Sequence, residues 1–160
     1  MCEYCGCQAV SVIAELTREH ECALDAARAA EQAAAVGDLE AARSALRDLQ
    51  GVLGPHTVVE EEGLFPAIAR EFPEQVHVLR LEHRLFEDVC ADVLSGQPSP
   101  RWAADVSAAM SALHAHILKE QDGVFPAAMT VLHAVDWEVA EDVRASVHTQ
   151  PVASHVGGTA

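Results

Sequence analysis

The chain has 160 residues, half of them apolar, which is enough for one domain with a real core and too little for two comfortable ones. Aromatic residues make up only 4% and alanine fills much of the remainder, a mix that favours closely packed helices over sheets. A formal net charge of −15 argues against nucleic acid, and it leaves two readings of the acidic excess: a self-repelling surface, or carboxylates neutralised by a bound cation.

The N-terminus carries Cys2, Cys5 and Cys7 but neither the basic nor the apolar region of a secretory signal. No run of about 18 apolar residues follows, so no membrane span is expected. A cytoplasmic protein is the resulting expectation, with Cys2, Cys5, Cys7, Cys22 and Cys90 mostly as thiols. Three thiols this close could bind a soft metal or act as a redox switch, or they are a reduced tail.

A first helix is predicted from Val10 to Val36, stopped at Gly37. Asp38 can cap a second, running from Leu39 toward Phe72 with an irregularity expected at Gly54-Pro55. Pro73 opens a third that ends near Ser95-Gly96, and a fourth runs from about Trp102 to His133. A short fifth helix spans Asp136 to about Ser146, and a loose tail follows. The expected organisation is a Cys-rich segment over 1–7, an all-α, antiparallel up-and-down four-helix bundle over 8–135, and a short helix with tail over 136–160.

An internal repeat lies within this frame. His56, Glu60, Gly63, Phe65 and Pro66 recur in register as His116, Glu120, Gly123, Phe125 and Pro126. A weaker echo stands upstream of each copy, where Glu19-His20 resembles Glu82-His83. The protein therefore reads as two helical hairpins, each with Glu-His on its first helix and His-x-x-x-Glu on its second.

Residues four apart share one helix face, so His56 and Glu60 point together, as do His116 and Glu120. Counting from the turns sets their heights. His20 is 17 residues before Gly37 and His56 is 19 after it; Glu60 is 13 before Pro73 and His83 is 10 after it. At about 1.5 Å per residue the levels agree to within roughly one helical turn. His20, His56, Glu60, His83, His116 and Glu120 are thus the candidate metal ligands. Imidazole with carboxylate suits iron, manganese or zinc, and six side chains exceed what one structural zinc needs. Two cations bridged by Glu60 and Glu120 account for all six. A ferritin-like site needs Glu-x-x-His twice, whereas only Glu74 and His77 have that spacing.

On these residues the chain resembles the hemerythrin-like family, the HHE cation-binding domain, over about residues 8–135. The pattern is His, His-x-x-x-Glu, His, His-x-x-x-Glu, with Phe-Pro after each glutamate motif. The resemblance implies a four-helix bundle holding two non-haem Fe ions with an oxo or hydroxo bridge. It departs from the oxygen-carrying members at Leu79, where they have a further histidine, and at Gln121, where they use an aspartate. One fewer histidine leaves the irons less saturated. The function expected from the resemblance is binding or turnover of a small oxidant (O2, H2O2 or NO). A non-catalytic oxygen, iron or redox sensor or iron store, and a di-iron oxidase of an organic substrate, are the alternatives.

Around the six residues, Glu87 is a candidate to hold the second ring nitrogen of His83, or else lies on a solvated face. Leu16 and Leu24 flank His20 as core, and Cys90 faces inward as a small core residue. Gly63 and Gly123 either permit close approach of helices or access to the site, or mark loosening before Phe-Pro. His77, His114, His133, His148 and His155 are expected to bind no metal.

Overall fold

A computed structural model of the protein describes residues 10–148. Cys2, Cys5, Cys7, His155 and the expected tail lie outside them. Helix α1 spans Ser11–Ala35 and ends where Gly37 adopts a left-handed φ of 71°, a conformation a side chain would strain. The Asp38 carboxylate accepts from the Ala41 N–H at 3.0 Å and starts α2, Leu39–Val58. A π-helical segment, Val59–Leu64, follows without a break and passes into the short α3, Phe65–Ile68. Helix α4 opens on Pro73 and runs Pro73–Leu94. Helix α5, Trp102–Lys119, leads through a second π-helical segment, Glu120–Val124, into α6, Phe125–Val131. The last helix, α7, is Ala134–His148. Among the described residues every regular element is helical, and no helix is long and apolar enough to cross a membrane.

The irregularity of the second helix therefore lies beyond Gly54-Pro55. Gly51, whose carbonyl loses its helical partner to Pro55, is exposed, as is Pro55 itself, so water can satisfy the free group and the helix continues. The departure comes at Val59–Leu64, with a counterpart at Glu120–Val124 in what was expected to be one continuous helix. In both copies the N–H of the phenylalanine donates to the carbonyl of the glutamate five residues back: Phe65 to Glu60, Phe125 to Glu120. The next residue is proline each time, with no N–H to give and a ring that crowds the preceding turn, and a wider turn accommodates it. The Glu61 carbonyl takes a hydrogen bond from Arg80 instead, at 3.1 Å.

Two apolar clusters fill the bundle. One gathers Ile13, Leu16, Leu64, Phe65, Leu79 and Phe125 beneath α7. The other packs the alanine face of α1 (Ala23, Ala27, Ala30, Ala34) against Leu46, Leu49, Phe86, Met110 and Leu113. Small residues on α1 let α2 and α5 lie close to it. Between the clusters sits a layer of buried polar side chains. Helix α7 rests on the first π-helical segment, where a Cβ on Gly63 would stand 3.1 Å from the Ala140 Cα. Gly63 thus serves close approach, whereas Gly123 is exposed and faces open space.

A candidate metal centre

The polar layer consists of His20 from α1, His56 from α2, Glu60 from the first π-helical segment, His83 from α4, His116 from α5 and Glu120 from the second. All six are buried, and both carboxylates are 0% exposed. They form two clusters whose potential ligand atoms lie within 4.8 Å of one another: His20, His56, Glu60 and Glu120, and Glu60, His83, His116 and Glu120. The structure thus brings together the six side chains singled out by spacing.

Each carboxylate gives one oxygen to each cluster. Glu60 sets Oε1 3.3 Å from His56 Nε2 and Oε2 3.4 Å from His83 Nε2. Glu120 sets Oε2 3.1 Å from His20 Nε2 and Oε1 3.1 Å from His116 Nε2. Despite this proximity, neither oxygen of either glutamate makes an aligned hydrogen bond, nor does His20 Nε2. Buried carboxylates cost on the order of several kcal/mol each unless a positive partner, a protonated imidazole or a cation, offsets the burial. Four oxygens shared between two nests of imidazole nitrogens would be satisfied by two cations, one per cluster. The residues present fit such a pair.

Behind the inward nitrogens, each Nδ1 is held by a second group. Glu19 holds His56 at 2.9 Å, Glu61 holds His83 at 2.8 Å and Glu82 holds His116 at 2.8 Å. The Gln121 amide stands 3.3 Å from His20 Nδ1. The three carboxylate contacts accept an Nδ1–H and so fix which nitrogen turns to the centre. With the Gln121 contact they also form a closed ring, since α1 supports a histidine of α2, the first π-helical segment one of α4, α4 one of α5, and the second π-helical segment one of α1. Further out, Arg144 of α7 grips Glu19 through two contacts of 2.6 and 3.1 Å, and Lys119 pairs with Glu82. Phe125 stacks on His20 at 5.6 Å and Phe65 on His83 at 5.8 Å, so each Phe-Pro phenylalanine braces a histidine of the opposite hairpin.

With protons in place of cations, the layer is a set of ion pairs. Burial opposes protonation of His56, but the Glu60 charge and the Glu19 hydrogen bond overcome it and raise its pKa to about 10. Burial likewise opposes protonation of His116, and Glu120 raises it to about 9. Burial disfavours ionised Glu60, yet the charges of His56 and His83 hold it well below the usual carboxylate range. Glu120 is also lowered, against its burial and the charge of Glu60, by His116 and His20.

Glu87 is exposed, and the partner of His83 is Glu61. Leu16 is buried at the site, as is Cys90 in the second apolar cluster, and Leu24 packs on that cluster. Leu79 lies in the first. His77, His114 and His133 are exposed. The residues missed by sequence reasoning are the supporting ones. Glu19 and Glu82 had a signal, because each precedes a candidate ligand in both copies of the echo. Glu61 and Gln121 had a fainter one, since each follows a candidate glutamate. Arg144 had none, being a lone cation on the last helix.

A cavity of about 370 Å³ adjoins the centre and reaches all four histidines. No curated protein and no solved structure matches the chain. The family model of the hemerythrin HHE cation-binding domain matches residues 11–128, from the start of α1 to α6, and so takes in both clusters. The chain belongs to the hemerythrin HHE cation-binding family.

Proposed function

We propose that the protein is a non-haem di-iron protein that binds or turns over a small oxidant, O2, H2O2 or NO, with His20, His56, Glu60, His83, His116 and Glu120 as the ligands. The observation that carries this reading is the sharing of two fully buried carboxylates, one oxygen each, between two histidine pairs. The residue count supports an open position. Each cluster offers two imidazoles and two shared carboxylate oxygens, fewer donors than a six-coordinate iron would take, which would leave a position for a small oxidant. An iron pair held by these six side chains would supply the electrons that reduce such a molecule.

The chain's own residues prepare that chemistry. Glu19, Glu61 and Glu82 hold three Nδ1–H groups, keep Nε2 free to ligate and make those imidazoles more basic donors. Phe65 and Phe125 stack on His83 and His20, and Phe86 packs edge-on to His116, so apolar surface backs three of the four histidines. At His20 the support is a neutral amide in place of a carboxylate, so the two clusters differ in donor strength.

The test is anaerobic loading with ferrous iron, followed by absorption spectra on adding O2, H2O2 or NO. Two irons per chain with catalytic loss of peroxide or NO support turnover, and a reversible oxygen adduct supports carriage or sensing. One zinc per chain with no iron uptake overturns the reading.

A further inference from the structure

The cavity beside the centre is far larger than a small oxidant needs. At about 370 Å³ it falls in the range of pockets that hold organic ligands, roughly 300–1,000 Å³. A diatomic molecule occupies about the space of one water, near 30 Å³. Two cations at the inner end leave most of the volume free.

Its chemistry changes along its length. The four histidines line the inner end. Buried Leu49, Phe86, Leu113 and Ile117 form the walls, with the Cys90 thiol among them. Burial, and then the charge of Glu87, push that thiol up to about 11, so it stays neutral and adds to the apolar wall. Exposed Gln50, Gly54 and Glu87 mark the mouth, between α2 and α4. Gly54 sets no side chain at the mouth, and a Cβ there would meet nothing within 4 Å. Apolar walls hold water poorly, so an organic occupant gains by displacing it.

We infer that this cavity is a binding site for an uncharged, slender, mainly aliphatic small molecule, whose inner end it presents to the histidine–carboxylate centre. The body of the ligand lies along the leucine, isoleucine and phenylalanine walls, and a polar end can meet Gln50 at the mouth. Glu87 and the net charge of −15 disfavour anions there. The inference deepens the di-iron reading in one respect only, the chemistry to which the ligand's inner end is offered. Binding itself needs no metal.

The experiment titrates metal-free and iron-loaded protein with 1-butanol, 1-hexanol and 1-octanol by calorimetry. Saturable binding at one site is expected, tightening about fourfold per methylene until the cavity is filled. Methyl resonances of Leu113 and Ile117 should shift with octanol while those of exposed Val78 and Leu81 stay in place. Gly54→Phe places a ring at the mouth from a position with open space and should weaken octanol binding at least tenfold, with helical content unchanged. No saturable binding, affinity independent of chain length, or shifts at Val78 and Leu81 in place of Leu113 and Ile117 would each overturn the proposal. Metal content, read separately by mass spectrometry, can fail while octanol binding persists, and the reverse.

Discussion

At the scale of the residue, the centre works by pairs of neighbours. Each helix that supplies a histidine, or the π-helical segment that continues it, also supplies, one residue from a candidate ligand, the group that steadies the next helix's histidine. Glu60 and Glu120 are the members common to both clusters, so on the proposed di-iron reading replacing either by alanine should lose both metals. His114→Ala, on the exposed face two residues from His116, should keep two metals per chain by the same elemental analysis. Glu82→Gln keeps the shape and removes the charge behind His116, and should loosen metal about 10- to 100-fold in chelator competition. An unchanged off-rate would show that support behind the ring is irrelevant to retention. The six candidates were legible because helical spacing of four and counts from the turns constrain them within single helices. The supports were not, because they reach across helices. The same spacing rule selected Glu87, which shares His83's helix but faces solvent, while Glu61 arrives from the neighbouring element.

At the scale of the element, the two π-helical segments carry the shared glutamates, and Phe-Pro marks the end of each. One inserted residue leaves the helical pattern intact on both sides, so periodicity could not reveal these segments, and the visible glycine-proline pair drew attention too early in the helix. The glycines in them are equivalent in sequence and different in space. Gly63→Val pushes a side chain into the Ala140 backbone of α7 and should cost about 1–3 kcal/mol in denaturant unfolding. Gly123→Ala meets open space and should be neutral or stabilise by up to about 1 kcal/mol, the ordinary gain of alanine over glycine in a helix. Equal effects of the two would mean that α7 does not pack as described. Helix α7 bears on the centre through a second route, since Arg144 holds Glu19 and Glu19 holds His56. Arg144→Gln should therefore loosen metal more than a surface charge change on the same helix, such as Glu138→Gln.

At the scale of the whole molecule, a polar layer divides two apolar clusters, and its stability depends on what neutralises it. Without metal, the raised His56 and His116 stabilise the fold fully below the unfolded value near 6.5, and that stability is lost as pH rises through about 9 and about 10. The lowered Glu60 and Glu120 stabilise it above their unfolded value near 4.5, with loss as pH falls below that. The metal-free protein should thus be most stable between about 4.5 and 6.5 and lose thermal stability toward alkaline pH. In the metal-loaded protein the imidazoles are already deprotonated, so metal uptake at neutral pH should release protons and the alkaline loss should vanish. Coincident melting profiles of the two forms on the alkaline side would contradict this. The bundle, its helix order and the level of the layer were legible from turn residues and the repeat. The cavity was not, since it depends on how far apart the helices stand.

The sharing of Glu120 by both clusters also orders events during synthesis. His20, His56, Glu60, His83 and His116 all precede it in the chain, yet neither cluster is complete without it. A nascent chain that has made both histidines of the first hairpin still lacks a whole cluster. On the proposed reading metallation therefore belongs to the finished bundle, after the fourth long helix has been followed by Glu120, and a prematurely terminated product would have no complete nest for a metal.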